Sequence, residues 1–242
     1  MKNNLLLLII LMTTFSGFSQ KLYKAVEKEN LSKVEKLLAK GEDPNEFSEN
    51  GLFPLWRATA DNSYEIAALL IKNGADVNLE NKVPPGNSTP IILPCQEGYT
   101  EIVRLLVESG ADVNYEGFRG FTPIRIAARN GHIEIVKYLA EKGADIDKKA
   151  MDGATPLEHA ASVGHYEIVK FLIEQGADVN NVDEEGDFPV GEAARYGHTA
   201  IVKLLIENGA NLTLKNKENK SAYDLALETG QTEAADLIKV HL

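Results

Sequence analysis

His132, His165 and His198 recur at steps of 33 residues, and imidazoles in register are the residue type that ligates zinc and related metals. Their spacing argues against a shared ion. Metal–nitrogen bonds are about 2.1 Å long, whereas neighbouring helices pack about 8–10 Å apart, so imidazoles one repeat apart cannot close on one metal. They are expected to make structural bonds at the turns between helices. His159 and His241 have no ligating partner at i+3 or i+4. The run Asp183-Glu184-Glu185-Gly186-Asp187 has the acidity of a calcium loop, but it lacks the alternating acids and the distant bidentate Glu, so a solvated loop tip is expected. Cys95 is the single cysteine, which precludes an internal disulfide, and a buried packing role is expected for it. The chain contains no nucleophile elbow and no phosphate-cradling glycine loop. The sequence therefore predicts no enzyme: no catalytic residue, no cofactor and no metal.

Charge narrows the partners. The formal net charge is −11 and hydrophobic residues make up 44%, which describes a folded, acidic chain. An acidic surface repels a phosphate backbone, so no nucleic acid is expected as partner. The densest basic stretch, 215–220, is interrupted by Glu218 and reads as solvated surface. At the N-terminus, Lys2, the apolar run Leu5 to Met12, and Gly17-Phe18-Ser19 have the layout of a secretory signal peptide cleaved before Gln20. The run falls short of the roughly 20 apolar residues that span a bilayer. The expectation is a signal peptide at 1–19 and a folded domain at 20–242, exported to the periplasm or secreted, with no membrane association after cleavage. Asn30, Asn87, Asn211 and Asn219 match the Asn-x-Ser/Thr acceptor pattern, and no modification is expected of them.

A repeat must position whatever surface the chain uses. Pro54, Pro90, Pro123, Pro156 and Pro189 fall at steps of 36, 33, 33 and 33, and Gly41, Gly74, Gly110, Gly143, Gly176 and Gly209 keep the same beat with one step of 36. Thr89, Thr122 and Thr155 can cap helix N-termini, with the following Pro in the first turn, where its missing N–H costs nothing. Ala127-Ala128 and Ala160-Ala161 allow close stacking, Gly131, Gly164 and Gly197 break the chain between helices, and apolar spacing such as Ile168, Val169, Leu172 and Ile173 marks a second helix. A period of this length means stacked supersecondary units that bury their apolar faces only against each other, forming one elongated domain.

The phrases Gly153-Ala154-Thr155-Pro156-Leu157, Gly164-His165, Glu167-Ile168-Val169 and Gly176-Ala177-Asp178-Val179-Asn180 resemble the ankyrin repeat, and the likeness runs over nearly all of residues 20–242. The resemblance implies an all-α solenoid of about seven helix-turn-helix units joined by β-hairpin loops, with capping units at both ends. The units begin near Gln20, Glu49, Lys82, Phe118, Ala150, Asp183 and Asn216. The family's Thr-Pro-Leu-His is never complete. Its His position holds Trp56, Ile92, Arg125, Glu158, Gly191 and Asp224, which puts the inter-repeat bonds normally made there in doubt. Phe53 and Phe188 replace the capping Thr. The third unit carries extra residues around 83–87 and places Pro94 inside its first helix, where proline costs about 3 kcal/mol.

The resemblance also implies a non-enzymatic protein-binding module that contacts its partner through loop tips and first-helix ends. Mapped onto this chain, that surface comprises Phe118, Arg119 and Phe121; Met151 and Asp152; Glu184, Glu185 and Asp187; then Arg129, Arg195 and Tyr196, with Trp56 extending it toward the N-terminal end. Exposed Phe, Met, Arg and Tyr are the types enriched at interfaces. The expected partner is another protein bound by a monomer. The alternative expectation is an immunity-type inhibitor whose acidic face occludes a basic toxin or hydrolase.

Overall fold

Isolated helices shorter than roughly 12–15 residues are marginal in water, and among the described residues the α-helices run only six to nine residues. Each depends on its neighbours. A computed structural model of the chain describes residues 19–83 and 88–242. The expected leader, apart from Ser19, and the insert residues 84–87 lie outside the described residues. The chain divides into two compact units, the first comprising residues 1–94 and 99–112, the second 95–98 and 113–242. Among the described residues no helix is long and apolar enough to cross a membrane.

The first compact unit holds α1 (Ser19–Glu27), α2 (Leu31–Leu38), α3 (Pro54–Ala60), α4 (Tyr64–Lys72) and α6 (Thr100–Glu108), together with the start of α5 (Ile92–Glu97). The second holds α7 (Pro123–Arg129), α8 (Ile133–Glu141), α9 (Pro156–Val163), α10 (Tyr166–Glu174), α11 (Pro189–Arg195), α12 (Thr199–Glu207), α13 (Ala222–Glu228) and α14 (Thr232–Lys239). In the second unit α9 packs between α7 and α11, and α11 packs on α13, with Ala127, Ala128, Ala160, Ala161, Ala193 and Ala194 all buried in that row. Small side chains let the helix backbones approach.

The described residues contain no β-strand. Three loops of the second unit are five-residue turns, closed end to end by Gly117 N–H to Phe121 O (3.1 Å), Ala150 N–H to Ala154 O (3.3 Å) and Asp183 N–H to Asp187 O (3.0 Å), and braced inside by Gly120 N–H to Gly117 O (2.9 Å), Gly153 N–H to Ala150 O (2.9 Å) and Gly186 N–H to Asp183 O (3.1 Å). Adjacent loops are joined by Met151 N–H to Arg119 O (3.0 Å) and Glu184 N–H to Asp152 O (2.9 Å). Bonds of this kind fix a turn without building a ladder.

Two side-chain ladders set the register from repeat to repeat. In the first, an Asn amide donates to the glycine carbonyl one repeat on, and its Oδ1 accepts the N–H two residues beyond. Asn45 does so with Gly74 and Asp76 (2.9 and 2.7 Å), Asn78 with Gly110 and Asp112 (2.9 and 2.8 Å), Asn114 with Gly143 and Asp145 (3.1 and 2.8 Å), and Asn180 with Gly209 and Asn211 (3.1 and 2.7 Å). In the second ladder, the imidazole Nε2–H of His132, His165 and His198 donates back to the carbonyls of Gln96, Arg129 and Ser162 at 2.8, 3.0 and 3.1 Å. Each ring lies over a glycine of positive φ. A Cβ added at Gly98, Gly131 or Gly164 would stand 2.6, 2.7 and 2.6 Å from the ring.

Local chemistry explains the irregular positions. Thr122 and Thr155 accept from the backbones of Arg125 and Glu158 as caps. Thr89, expected to do the same, is buried with no partner for its hydroxyl among the described residues. The Ile92 N–H that such a cap would take bonds the Thr89 carbonyl instead (3.3 Å). Pro94 has no N–H to give the Pro90 carbonyl, so α5 begins at Ile92 instead of at its proline, as α3, α7, α9 and α11 do. The expected mid-helix penalty is thereby avoided, because Pro94 sits at the third residue of the shortened helix, where the N–H has no intrahelical acceptor. Phe53 and Phe188 make no cap and instead are buried. Gly191 is paired with the latter, since a Cβ there would lie 2.7 Å from the Phe188 ring. Cys95 is fully buried, as its packing role requires, and burial pushes its thiol pKa up.

Two outcomes follow. Gly164→Ala is expected to destabilise the chain by about 1–3 kcal/mol in urea unfolding, through its positive φ and the His198 ring; the cost should shrink in the His198→Ala background. The Asn ladder is broken at Asp147, whose two oxygens accept from Asp178 N–H at 3.2 Å but which has no amide to donate. Burial, then the charges of Asp178 and Asp145, raise its pKa. The folded state therefore favours the protonated form, and stability is lost as pH rises through the folded pKa. Asp147→Asn should stabilise the chain by about 1 kcal/mol, most at pH 7 and least at pH 4, as read by thermal melts.

Candidate functional site

In the second compact unit, loops 117–121, 150–154 and 183–187 and the exposed ends of α7, α9 and α11 border an open groove of about 650 Å³. Two of these loops are held in shape by their own acids. Asp152 Oδ1 accepts from Ala154 N–H (3.2 Å), and Asp183 Oδ1 accepts from both Glu185 and Asp187 N–H (2.8 Å each). Asp183 is thus a half-buried turn former, which corrects the expectation of a wholly solvated tip; Glu184 and Glu185 are the exposed residues of that loop.

The groove floor carries charges that a helical core normally excludes. Arg125, 2% exposed, donates from Nη2 to both Asp152 oxygens at 2.9 and 3.0 Å, and its guanidinium carbon lies 4.0 Å from the centre of the Phe121 ring. The same Nη2 meets His159 Nε2. Arginine only donates, so Nε2 accepts and the His159 proton sits on Nδ1. Burial, then the Arg125 charge, lower the His159 pKa to about 4, which keeps the ring neutral. Asp152 is held below the ordinary carboxylate range, the pull of Arg125 exceeding the opposing effect of burial.

One repeat on, the chemistry is acidic. Glu158, 4% exposed, accepts from Asn181 Nδ2 at 3.1 Å, and the same amide nitrogen bonds Gly153 O at 3.1 Å. Burial, then the neighbouring Asp183 carboxylate, raise the Glu158 pKa to about 9. At neutral pH Glu158 therefore holds its proton. On α11, burial raises the Glu192 pKa to about 7 against the pull of Arg195, with Asp187 and Asp183 adding to the rise. Arg195 Nη2 bonds Asp187 Oδ1 at 2.8 Å, and its Nε lies 3.2 Å from Glu192 Oε1, an ion pair without hydrogen-bond geometry.

A family model described as ankyrin repeats matches the chain in three copies, over residues 22–117, 115–183 and 175–240. The chain belongs to the ankyrin-repeat family. No curated protein matches it. Ankyrin repeats are typically non-enzymatic protein-interaction domains, and the position of the family's His is where this member departs from its kin. Inter-repeat bonding persists there with other partners: Arg125 reaches Asp152, and Glu158 reaches Asn181. Asp224 turns inward to its own helix, forming a reciprocal cap with Ser221.

Of the residues mapped from the ankyrin resemblance, Arg119, Phe121, Arg129, Asp152, Glu185, Asp187 and Tyr196 line the groove together. Phe118, Met151 and Glu184 are exposed at loop tips beside it, at 52% and 72% for the two apolar side chains. Arg195 stands behind the lining, paired with Asp187 and Glu192. Phe121 is half-buried under Arg125 and is less free than an exposed tip. Trp56, half-buried on α3, belongs to the first compact unit and takes no part in this groove. Sequence reasoning did not assign Glu158, His159 or Glu192 to the site. The signal was there in the 33-residue register, which sets 125 beside 158 and 159 beside 192 on neighbouring first helices.

Because Glu158 and Glu192 bind protons in the folded state above the ordinary carboxylate range, stability should fall as pH rises through about 7 and again toward about 9. Glu158→Gln keeps the shape of the protonated side chain. It is expected to flatten the upper part of that decline in chemical denaturation between pH 6 and 9.5.

Proposed function

We propose that this chain is an exported, monomeric protein-binding module of seven ankyrin units, the first and last serving as caps, that works in the periplasm or outside the cell. Its partner docks on the groove of the second compact unit. The observation that carries this reading is the coincidence of apolar and charged groups on one surface. Exposed Met151, Val163 and Tyr196 stand beside a groove whose charged walls are already bonded into fixed positions, by a neighbouring repeat at Asp152 and by its own loop at Asp183. A preformed surface loses little conformational entropy on binding, and aromatic and methionine side chains are productive anchors. The leader-like segment at 1–19 supports export, and the net charge of −11 argues against a nucleic-acid partner.

A second reading, immunity-type inhibition of a basic toxin or hydrolase, is favoured by Glu184 and Glu185, both exposed on one loop. Salt separates the two, because an association dominated by exposed opposite charges weakens steeply with ionic strength.

The test is crosslinking capture in the native cells, repeated with Met151→Ala plus Tyr196→Ala. With helicity and melting unchanged, the double substitution is expected to lower affinity for the captured partner at least tenfold. Unchanged affinity would sink the proposed surface.

A further inference from the structure

The groove has more acceptors than donors at one end. Glu158, Asp183 and Glu185 line it, and none of the three makes an ion pair among the described residues. The charged groups that act most strongly on Glu158 are Asp183 and Glu192, both acids. A hydrogen-bond deficit accompanies the missing positive charge. Asn181, 2% exposed, spends its amide nitrogen on Glu158 and Gly153 while its Oδ1 accepts nothing; Glu192 Oε1, by contrast, faces Arg195 Nε at 3.2 Å. The orientation of the Asn181 amide is fixed by the two acceptors it serves, so the unpartnered atom is the oxygen. A buried acceptor without a donor is costly, and its place next to Glu158 at the end of the groove where three carboxyls lack an ion pair points to a donor that arrives from outside.

We infer that this groove receives an arginine side chain of the partner protein, its guanidinium bonded by the Glu158–Asp183 carboxyl pair with Glu192 beside it. The inference rests on the protein-binding reading above and names the chemistry that the partner must present. A metal ion does not suit the site, since among the described residues no three His, Cys, Asp or Glu side chains converge to hold one. A guanidinium does suit it. Its five N–H groups form a planar fork that satisfies several oxygens at once, and it is more weakly hydrated than an ammonium, so it is the easier cation to desolvate. The proton that Glu158 carries at neutral pH is what the incoming cation displaces. Arg125 is held by Asp152, and Arg195 is shared between Asp187 and Glu192; neither pairs with Glu158, Asp183 or Glu185.

The inference is tested by selecting a random displayed-peptide library on the full chain. Selected peptides are expected to share an arginine at one position. Replacing it with citrulline, which keeps the shape and removes the charge, should weaken binding at least tenfold, and Glu158→Gln plus Asp183→Asn in the protein should do the same. Both substitutions retain the acceptor oxygens that the fold uses at these positions, and the citrulline arm leaves the protein native throughout. Peptides that lose affinity with Met151→Ala plus Tyr196→Ala, yet share no arginine or tolerate citrulline, overturn the arginine inference and leave the groove as the binding surface. Peptides indifferent to Met151→Ala plus Tyr196→Ala overturn both.

Discussion

A side chain reaching a backbone group one repeat away is the interaction on which the rest of this chain depends. Helices of six to nine residues bury only a narrow stripe each, and apolar packing of that kind tolerates sliding. The Asn and His ladders remove the freedom to slide. Asn180 bonds a carbonyl and an N–H of the following repeat with a single amide, and His198 both bonds a preceding carbonyl and occupies the space above Gly164. Once the register is fixed in this way, the loops are fixed with it. Loop acids such as Asp152 and Asp183 can then shape their own turns and still face the groove.

Much of this was legible in the residues. The 33-residue beat locates the helix starts because proline is tolerated at a first turn and glycine supplies positive φ where a helix stops. The same reading failed where two departures compensate each other. Gly191 alone looks like a lost side chain; with Phe188 folded against it, it is the space a ring needs. Pro94 alone looks like a broken helix, yet the helix simply begins later. Such pairs are invisible to a residue-by-residue comparison with a family pattern, because each partner is abnormal only until the other is placed.

The site was partly legible for the same reason. Loop tips and helix ends follow from the register, so Arg119, Asp152, Asp187 and Tyr196 could be placed on one surface. The buried charges could not. Glu158 and His159 occur once each in their columns, and nothing in a one-dimensional pattern tells that Asn181 and Arg125 reach them. Their cost is felt in the fold: a carboxyl that holds its proton to about pH 9, and an imidazole that stays neutral to about pH 4, are both groups kept from their preferred charge. Groups in that condition cluster at functional sites, because a binding surface retains polar groups that stability alone would replace.

The central claim is that the second compact unit meets its partner through the groove between these loops. Amide hydrogen exchange on the chain, alone and in complex with the partner recovered by crosslinking, tests it directly. The account predicts new protection concentrated in residues 151–163 and 183–196. Protection confined to the first compact unit, or to α10 and α12 with the loops unchanged, would contradict it.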